Sequence, residues 1–276
     1  MQILAILTFV LTFYCLNAYQ TLRLNTGYEM PILGLGTFRA TGDSCYKSVI
    51  EALKVGFRHI DTASDYNNEE QVGRALADAI NSGIVKREDV FVTTKVWPQK
   101  ADARKKALDS IHESMKKMNL TYIDLVLVHF PWDQYVESYR GCEDAFHQKL
   151  VRSIGVSNFN EQNLDILLKE ATVRPANNQV LLNPKAVGTG IIDYCKKADI
   201  TVTAYSPLGT GSLVKDAKLV GIGQKHNKSA AQVMIRWEIQ RGVCVIPKAT
   251  DPKYIKEDFE VFDFTLTDNE MKQIPF

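Results

Sequence analysis

Four side chains suited to proton chemistry sit at or just past the ends of short apolar runs. Asp61 closes Phe57–Asp61, Tyr66 follows shortly after, Lys95 closes Val90–Lys95, and His129 closes Leu125–His129. Such runs read as buried strands, and a parallel α/β barrel gathers its chemistry where its strands end. A phenol, an ammonium, a carboxylate and an imidazole brought together there form a proton-donating unit. That unit can serve a carbonyl oxygen if a hydride donor lies beside it.

The division of labour follows from intrinsic acidities. Tyrosine, with a pKa near 10, is a poor acid at neutral pH. A lysine ammonium within about 4–6 Å favours the phenolate, so Lys95 is expected to draw Tyr66 down. Asp61 would hold Lys95 charged and aimed. His129 would hydrogen-bond the substrate oxygen and fix its orientation. Tyr66 would then give up its proton as negative charge develops, a contribution of about 10²–10⁴-fold. Taken singly, each residue has an ordinary reading: a turn or helix-capping Asp, a packing Tyr, a solvated Lys, a satisfied core His. Their joint placement at the ends of the second, third and fourth candidate strands is what favours chemistry.

The elements that must position them alternate along the chain. Candidate strands are Ile32–Thr37, Phe57–Asp61, Val90–Lys95, Leu125–His129, Ser153–Val156, Gln179–Leu182, Thr201–Tyr205 and Val243–Pro247. Between them, apolar residues spaced three and four apart predict helices over Ser44–Lys54, Glu70–Ile80, Ala103–Met118, Tyr135–Gln148, Glu161–Glu170, Ile191–Lys197 and Ala230–Gln240. Alternating residues around Asn25-Thr26-Gly27 predict a small hairpin ahead of them. Eight strand–helix repeats point to an α/β fold, a single closed (β/α)8 TIM barrel with a short N-terminal β-hairpin. Gly34-Leu35-Gly36 lies inside a strand and is not a glycine-rich dinucleotide fingerprint.

Lys and Arg number 33 against 32 Asp and Glu, a balance that offers neither nucleic acid nor an acidic membrane surface a basic patch. Met1–Ala18 carries no charged side chain, and Ile3–Leu16 is almost wholly apolar. This reads as a secretory signal peptide over 1–18, ahead of a barrel domain over 19–276. An uncleaved anchor and a misplaced start are the competing readings. A secreted protein is therefore expected, free of the membrane once cleaved. Cys15, Cys45, Cys142, Cys195 and Cys244 show no metal spacing and no evident disulfide pattern. Sequons at Asn119 and Asn227 fit a secreted glycoprotein.

Several stretches closely resemble the aldo-keto reductase family, in its short-loop, bacterial-like branch. They are Gly56–Ala63 with Tyr66, Asn68-Glu69 and Val72-Gly73; Thr93–Trp97; Asp124–Pro131; Ser153–Phe159; Ala204–Gly209; and Val245–Lys248. The motifs run in family order from Leu22 to the end of the sequence. The resemblance implies a monomeric oxidoreductase that reduces small aldehydes or ketones with a nicotinamide cofactor bound across the barrel mouth, and no metal. It implies catalytic roles for Asp61, Tyr66, Lys95 and His129. Ser157, Asn158 and Gln179 would hold the carboxamide, and Tyr205 would stack on the nicotinamide ring. Ser206, Leu208 and Gly211 would lie along the pyrophosphate, Lys248 at the 2′-phosphate, and Glu257 and Asp258 near the adenine.

The chain departs from the family pattern at the phosphate. Lys248-Ala249 with Tyr254 stands where the family commonly has Lys-Ser and a later Arg, and Asp251 adds a negative charge. NADPH is the expected cofactor because Lys248 persists, with weakened discrimination against NADH. Leu181–Lys185 also departs from the usual sequence after its strand. Short loops and a short end to the chain imply an open site, lined by Phe38, Trp97, Phe130 and Trp132, that tolerates many carbonyls. A secreted reductase meets little reduced cofactor outside cells, so a non-catalytic secreted barrel, acting as a binding or structural protein, stands as the alternative. A hydrolase would need paired carboxylates or metal ligands that the chain does not present.

Overall fold

The computed structural model describes residues 20–276. The expected signal peptide and Cys15 lie outside the described residues. Eight parallel strands run in sequence order around one sheet: β3 (Leu35–Gly36), β4 (His59–Asp61), β5 (Phe91–Val96), β6 (Ile123–Val128), β7 (Val151–Ser157), β8 (Asn177–Leu181), β9 (Thr201–Tyr205) and β10 (Cys244–Ile246). The ring closes between its first and last strands. Leu33 bridges Val245 in parallel, Val245 N donates to Ile32 O at 2.8 Å, and Gly36 N donates to Pro247 O at 2.9 Å. This is the (β/α)8 barrel that the alternation predicts.

The first strand is shorter than Ile32–Thr37, and its glycines show why. A Cβ on Gly34 would meet the His59 ring at 2.7 Å, and one on Gly36 would meet Ile246 O at 2.8 Å. Gly34 thus permits close approach to β4, and Gly36 to β10 across the seam. The hairpin, β1 (Thr21–Arg23) with β2 (Glu29–Pro31), lies under the barrel. Its Leu24 and Met30 bury among Phe91, Leu125, Ala176 and Cys244, and Asn25 Nδ2 donates to Pro175 O and Asp199 O, just before β8 and β9. The bottom of the barrel is thus plugged, which leaves the strand C-termini as the open end.

Helices α1 (Gly42–Val55), α2 (Glu69–Asn81), α3 (Ala103–Met118), α4 (Tyr135–His147), α5 (Glu161–Glu170) and α6 (Thr189–Lys197) cover the outside. All of β5 and β6 is buried, as expected when helices cover a sheet whose other face fills the barrel. After β9 come α7 (Ala217–His226) and α8 (Ala230–Gln240), and after β10 come α9 (Pro252–Phe259) and α10 (Asp268–Gln273). Leu219, Ile222, Met234, Trp237 and Ile274 form a satellite core between α7, α8 and α10.

Periodicity did not reveal α7, α9 or α10. Helix α7 carries Gly221 and Gly223, which blur its apolar stripe, and α9 and α10 are short. Capping chemistry does announce all three: Asp216 before Ala217, Asp251 before Pro252, and the Thr267/Glu270 capping box. Cys45, Cys142, Cys195 and Cys244 are buried and unpaired.

Candidate active site

Asp61 is the last residue of β4, and the chain turns sharply beyond it. Thr62 Oγ1 donates to Asn68 Oδ1 at 2.7 Å, and Asn68 Nδ2 donates to Thr37 O and Ala40 O, each at 2.9 Å. Buried Asn68 thereby pins the loop that carries a single 3₁₀ turn, Ser64–Tyr66. That turn brings Tyr66 back over the end of β5, where Lys95 is wholly buried. Lys95 Nζ donates to Asp61 Oδ1 at 2.6 Å, to Thr62 O at 2.9 Å and to Tyr66 Oη at 3.4 Å. Burial alone would push the Lys95 amine down; Asp61, and then Tyr66, more than reverse this, so it stays charged.

Tyr66 corrects one expectation. Burial outweighs the pull of Lys95, with Asp61 opposing that pull further, and the phenol sits above its usual pKa. Lys95 still favours the phenolate, and Asp61 offsets part of that pull. Tyr66 is thus held protonated.

His129 stands one residue beyond β6, its N–H bonded to Val96 O at 3.0 Å. Its ring meets Tyr66 edge-on at 5.9 Å between centroids. Trp97 lies at 5.3 Å and Phe130 stacks at 4.9 Å. Phe130 stacks in turn on Trp132 at 4.2 Å, and Phe38 tilts against Tyr66 at 5.0 Å. The four aromatics expected at the mouth therefore flank Tyr66 and His129, with Phe38 and Trp132 about half exposed at the rim.

A second set of polar residues joins the first. Tyr205 Oη donates to Asn158 Oδ1 at 2.8 Å, while Asn158 Nδ2 donates to His129 O at 3.0 Å and Ser157 Oγ at 3.1 Å. Ser157 Oγ donates to Gln179 O at 2.8 Å, and Gln179 Nε2 donates to Asp61 Oδ2 at 2.7 Å. Hydrogen bonds thus run from β9 through β7 and β8 to β4.

A family model for the aldo/keto reductase family matches residues 32–275. The chain belongs to the aldo/keto reductase family. It is 43% identical to a 9,11-endoperoxide prostaglandin H2 reductase of Trypanosoma cruzi, over 93% of this chain and 90% of that protein. It is 40% identical to a glyoxal reductase of Bacillus subtilis, over 92% and 91%. The crystal structure of a Bombyx mori aldo-keto reductase in complex with NADP superposes with a TM-score of 0.88 at 39% identity, covering 93% of this chain and 92% of that one. As an aldo-keto reductase, the chain is an oxidoreductase of small carbonyl compounds that works with a nicotinamide cofactor.

The residues at the mouth fit such a cofactor in their chemistry. Ser157, Asn158 and Gln179 form a polar row on adjacent strands, although each already spends donors within the protein. Gln179 gives one amide N–H to Asp61 and keeps its carbonyl oxygen and a second N–H to offer a carboxamide. Tyr205 is half-buried, an aromatic face available for stacking. Beyond it, Ser206, Gly209, Thr210 and Gly211 all have positive φ, and a Cβ on Gly211 would meet nothing within 4 Å. Backbone so turned, beside open space, suits an extended phosphate chain. Leu208 sits between the two turns, partly buried against the core.

Lys248 is exposed just past β10, with no ion-pair partner among the described residues. Asp251 is the N-cap of α9, accepting from Lys253 N at 2.8 Å. Tyr254 is exposed and presents no cation. Glu257 is half-buried on α9, while Asp258 is buried, and burial, with Glu257 adding to it, pushes its carboxyl up to about 7. The divergent Leu181–Lys185 stretch is ordered by Asn183, whose Oδ1 accepts from Lys185 N and Ala186 N.

Asn68 and Asp65 were not picked out from the sequence as functional. Asn68 lies within the family motif, but its side-chain bonds to Thr37 and Ala40 are tertiary. Asp65 comes within 3.1 Å of His129 only because the 3₁₀ turn folds back.

Proposed function

We propose that this protein is an NADPH-dependent carbonyl reductase in which Tyr66 is the general acid. The observation that carries this is the buried Asp61–Lys95 pair, 2.6 Å apart, with Lys95 Nζ 3.4 Å from the Tyr66 hydroxyl at the open end of the barrel. A reduced nicotinamide, when bound, supplies the hydride. The chain's own residues do the rest. His129 holds the carbonyl oxygen beside Tyr66, and the Trp97, Phe130 and Trp132 rings exclude water around it. The proton on Tyr66 Oη moves to that oxygen as negative charge develops, and Lys95 stabilises the phenolate left behind.

The open rim supports broad acceptance of aldehydes and ketones. Lys248 supports NADPH as the preferred cofactor, and the lack of Ser and Arg partners supports residual use of NADH. The uncharged apolar stretch at Met1–Ala18 supports entry into the secretory pathway.

The test follows the loss of NADPH absorbance with a panel of aldehydes and ketones, with Tyr66→Phe as control. Native protein should turn over several of them, and Tyr66→Phe should lose about 10²–10⁴-fold. Undiminished turnover by Tyr66→Phe would remove Tyr66 from the role.

A further inference from the structure

His129 has an acidic neighbour that the proton-transfer chemistry above does not use. Asp65 Oδ1 lies 3.1 Å from His129 Nδ1, and the carboxylate keeps 35% of its surface exposed while the imidazole keeps 9%. The approach is not aligned into a hydrogen bond, and Nδ1 is a buried ring nitrogen with no aligned partner. The other titratable group facing the ring is Tyr66, with the Lys95–Asp61 pair behind it. Trp97 and Phe130 fill the remaining sides with carbon, and Asn158 touches only the backbone carbonyl of His129.

This arrangement constrains the tautomer. An ionised carboxylate only accepts hydrogen bonds, so an imidazole nitrogen beside it is favoured as N–H. A neutral ring carries one N–H. With that hydrogen on Nδ1, the other nitrogen has only a lone pair, which a carbonyl oxygen cannot use. The doubly protonated ring alone can face Asp65 and donate to a substrate oxygen at once.

Resting on the reductase reading above, we propose that Asp65 is a positioning residue that keeps His129 Nδ1 protonated, so that His129 can orient a carbonyl only as an imidazolium. Reduction is then gated by pH at His129 rather than at Tyr66. The Asp65 carboxyl itself is held below its usual range: burial works against this, but the His129 contact and the Lys95 charge prevail. Tyr66, raised above its ordinary value, stays protonated well beyond neutrality. A fall in rate with rising pH, ahead of the titration of Tyr66, therefore reports the imidazole.

Asp65→Asn tests this directly. An asparagine amide can donate to Nδ1, so the neutral ring is free to carry its hydrogen on the other nitrogen and donate without a charge. Asp65→Leu removes the bias without supplying a donor. The first readout is ¹⁵N NMR of the histidine rings, with His129→Gln assigning the resonance. Native protein should show a neutral His129 with hydrogen on Nδ1, and Asp65→Asn should move it to Nε2. The second is kcat/KM against pH. Native activity should fall about tenfold per pH unit above the ring's pKa, while Asp65→Asn and Asp65→Leu should hold their plateau further into alkali.

A neutral His129 that already carries its hydrogen on Nε2 in native protein, or pH profiles identical in all three proteins, would overturn the proposal. If native protein turned over no carbonyl yet showed the tautomer switch, the reductase reading would fail while the Asp65–His129 contact stood.

Discussion

Gln179 Nε2 donates to Asp61 Oδ2 at 2.7 Å, across 118 positions of sequence. The bond couples the polar row expected to hold a cofactor to the ion pair that charges Lys95. Asp61 thus has both carboxylate oxygens engaged, one by Lys95 and one by Gln179. A buried carboxylate satisfied in this way can hold an ammonium in one place.

Breaking that pair should be costly. Asp61→Leu would leave the Lys95 charge buried without its partner, and a loss of about 3–5 kcal/mol in unfolding free energy is expected. The double variant Asp61→Leu with Lys95→Met should recover much of it, because no lone charge remains. Urea denaturation of the four proteins closes the cycle. Additive losses would show that the two side chains are not energetically coupled.

Cofactor choice should respond to Tyr254. Tyr254→Arg with Ala249→Ser would add a bidentate cation and a hydroxyl beside Lys248. One recovered charge-assisted contact is worth about 1.5–3 kcal/mol, hence a gain of roughly one to two decades in the NADPH to NADH ratio of kcat/KM. In the native protein that ratio should stay below about 10³; a larger value would mean that some other group reads the phosphate.

The exposed wall should tune substrate size. Trp132 stacks on Phe130 at 4.2 Å yet keeps 49% of its surface in solvent. Trp132→Ala should reduce kcat/KM about tenfold for bulky aromatic ketones, through lost apolar and stacking contact. Small aliphatic aldehydes, which never reach the rim, should change little. Equal losses for both classes would place the effect on the fold instead of the substrate.

Asp258 should make stability depend on pH. Its folded-state carboxyl is raised to about 7, so the native state binds a proton that the unfolded chain releases near the ordinary aspartate value. The native state is therefore favoured most at low pH, and this advantage is lost as pH rises from about 4 to about 7. Asp258→Asn removes the dependence. Relative to native protein it should gain stability at pH 8, by about 4 kcal/mol as a ceiling, and nothing at pH 4. Thermal unfolding at the two pH values measures the difference; a variant less stable at pH 8 would contradict it.

Much of the fold was legible because it rests on local pattern. Strand ends at Asp61 and Tyr205, and the bounds of α3, α5 and α8, coincide with what alternation and apolar spacing predict. Helix α7 was not legible from apolar spacing, because Gly221 and Gly223 interrupt its stripe and its partners on α8 and α10 lie elsewhere in the chain.

By itself, the sequence determined which residue types end which strands, and so which side chains could meet at the barrel mouth: Asp61, Lys95, His129 and the Phe130 and Trp132 rings. Tertiary structure alone decided how they are charged and paired. It set Tyr66 above its ordinary pKa, because burial is a property of the packed whole. It gave Gln179 to Asp61, and it turned Asp65 onto His129. Solvent exclusion and contacts between distant segments create these energies, and neither exists until the barrel has closed.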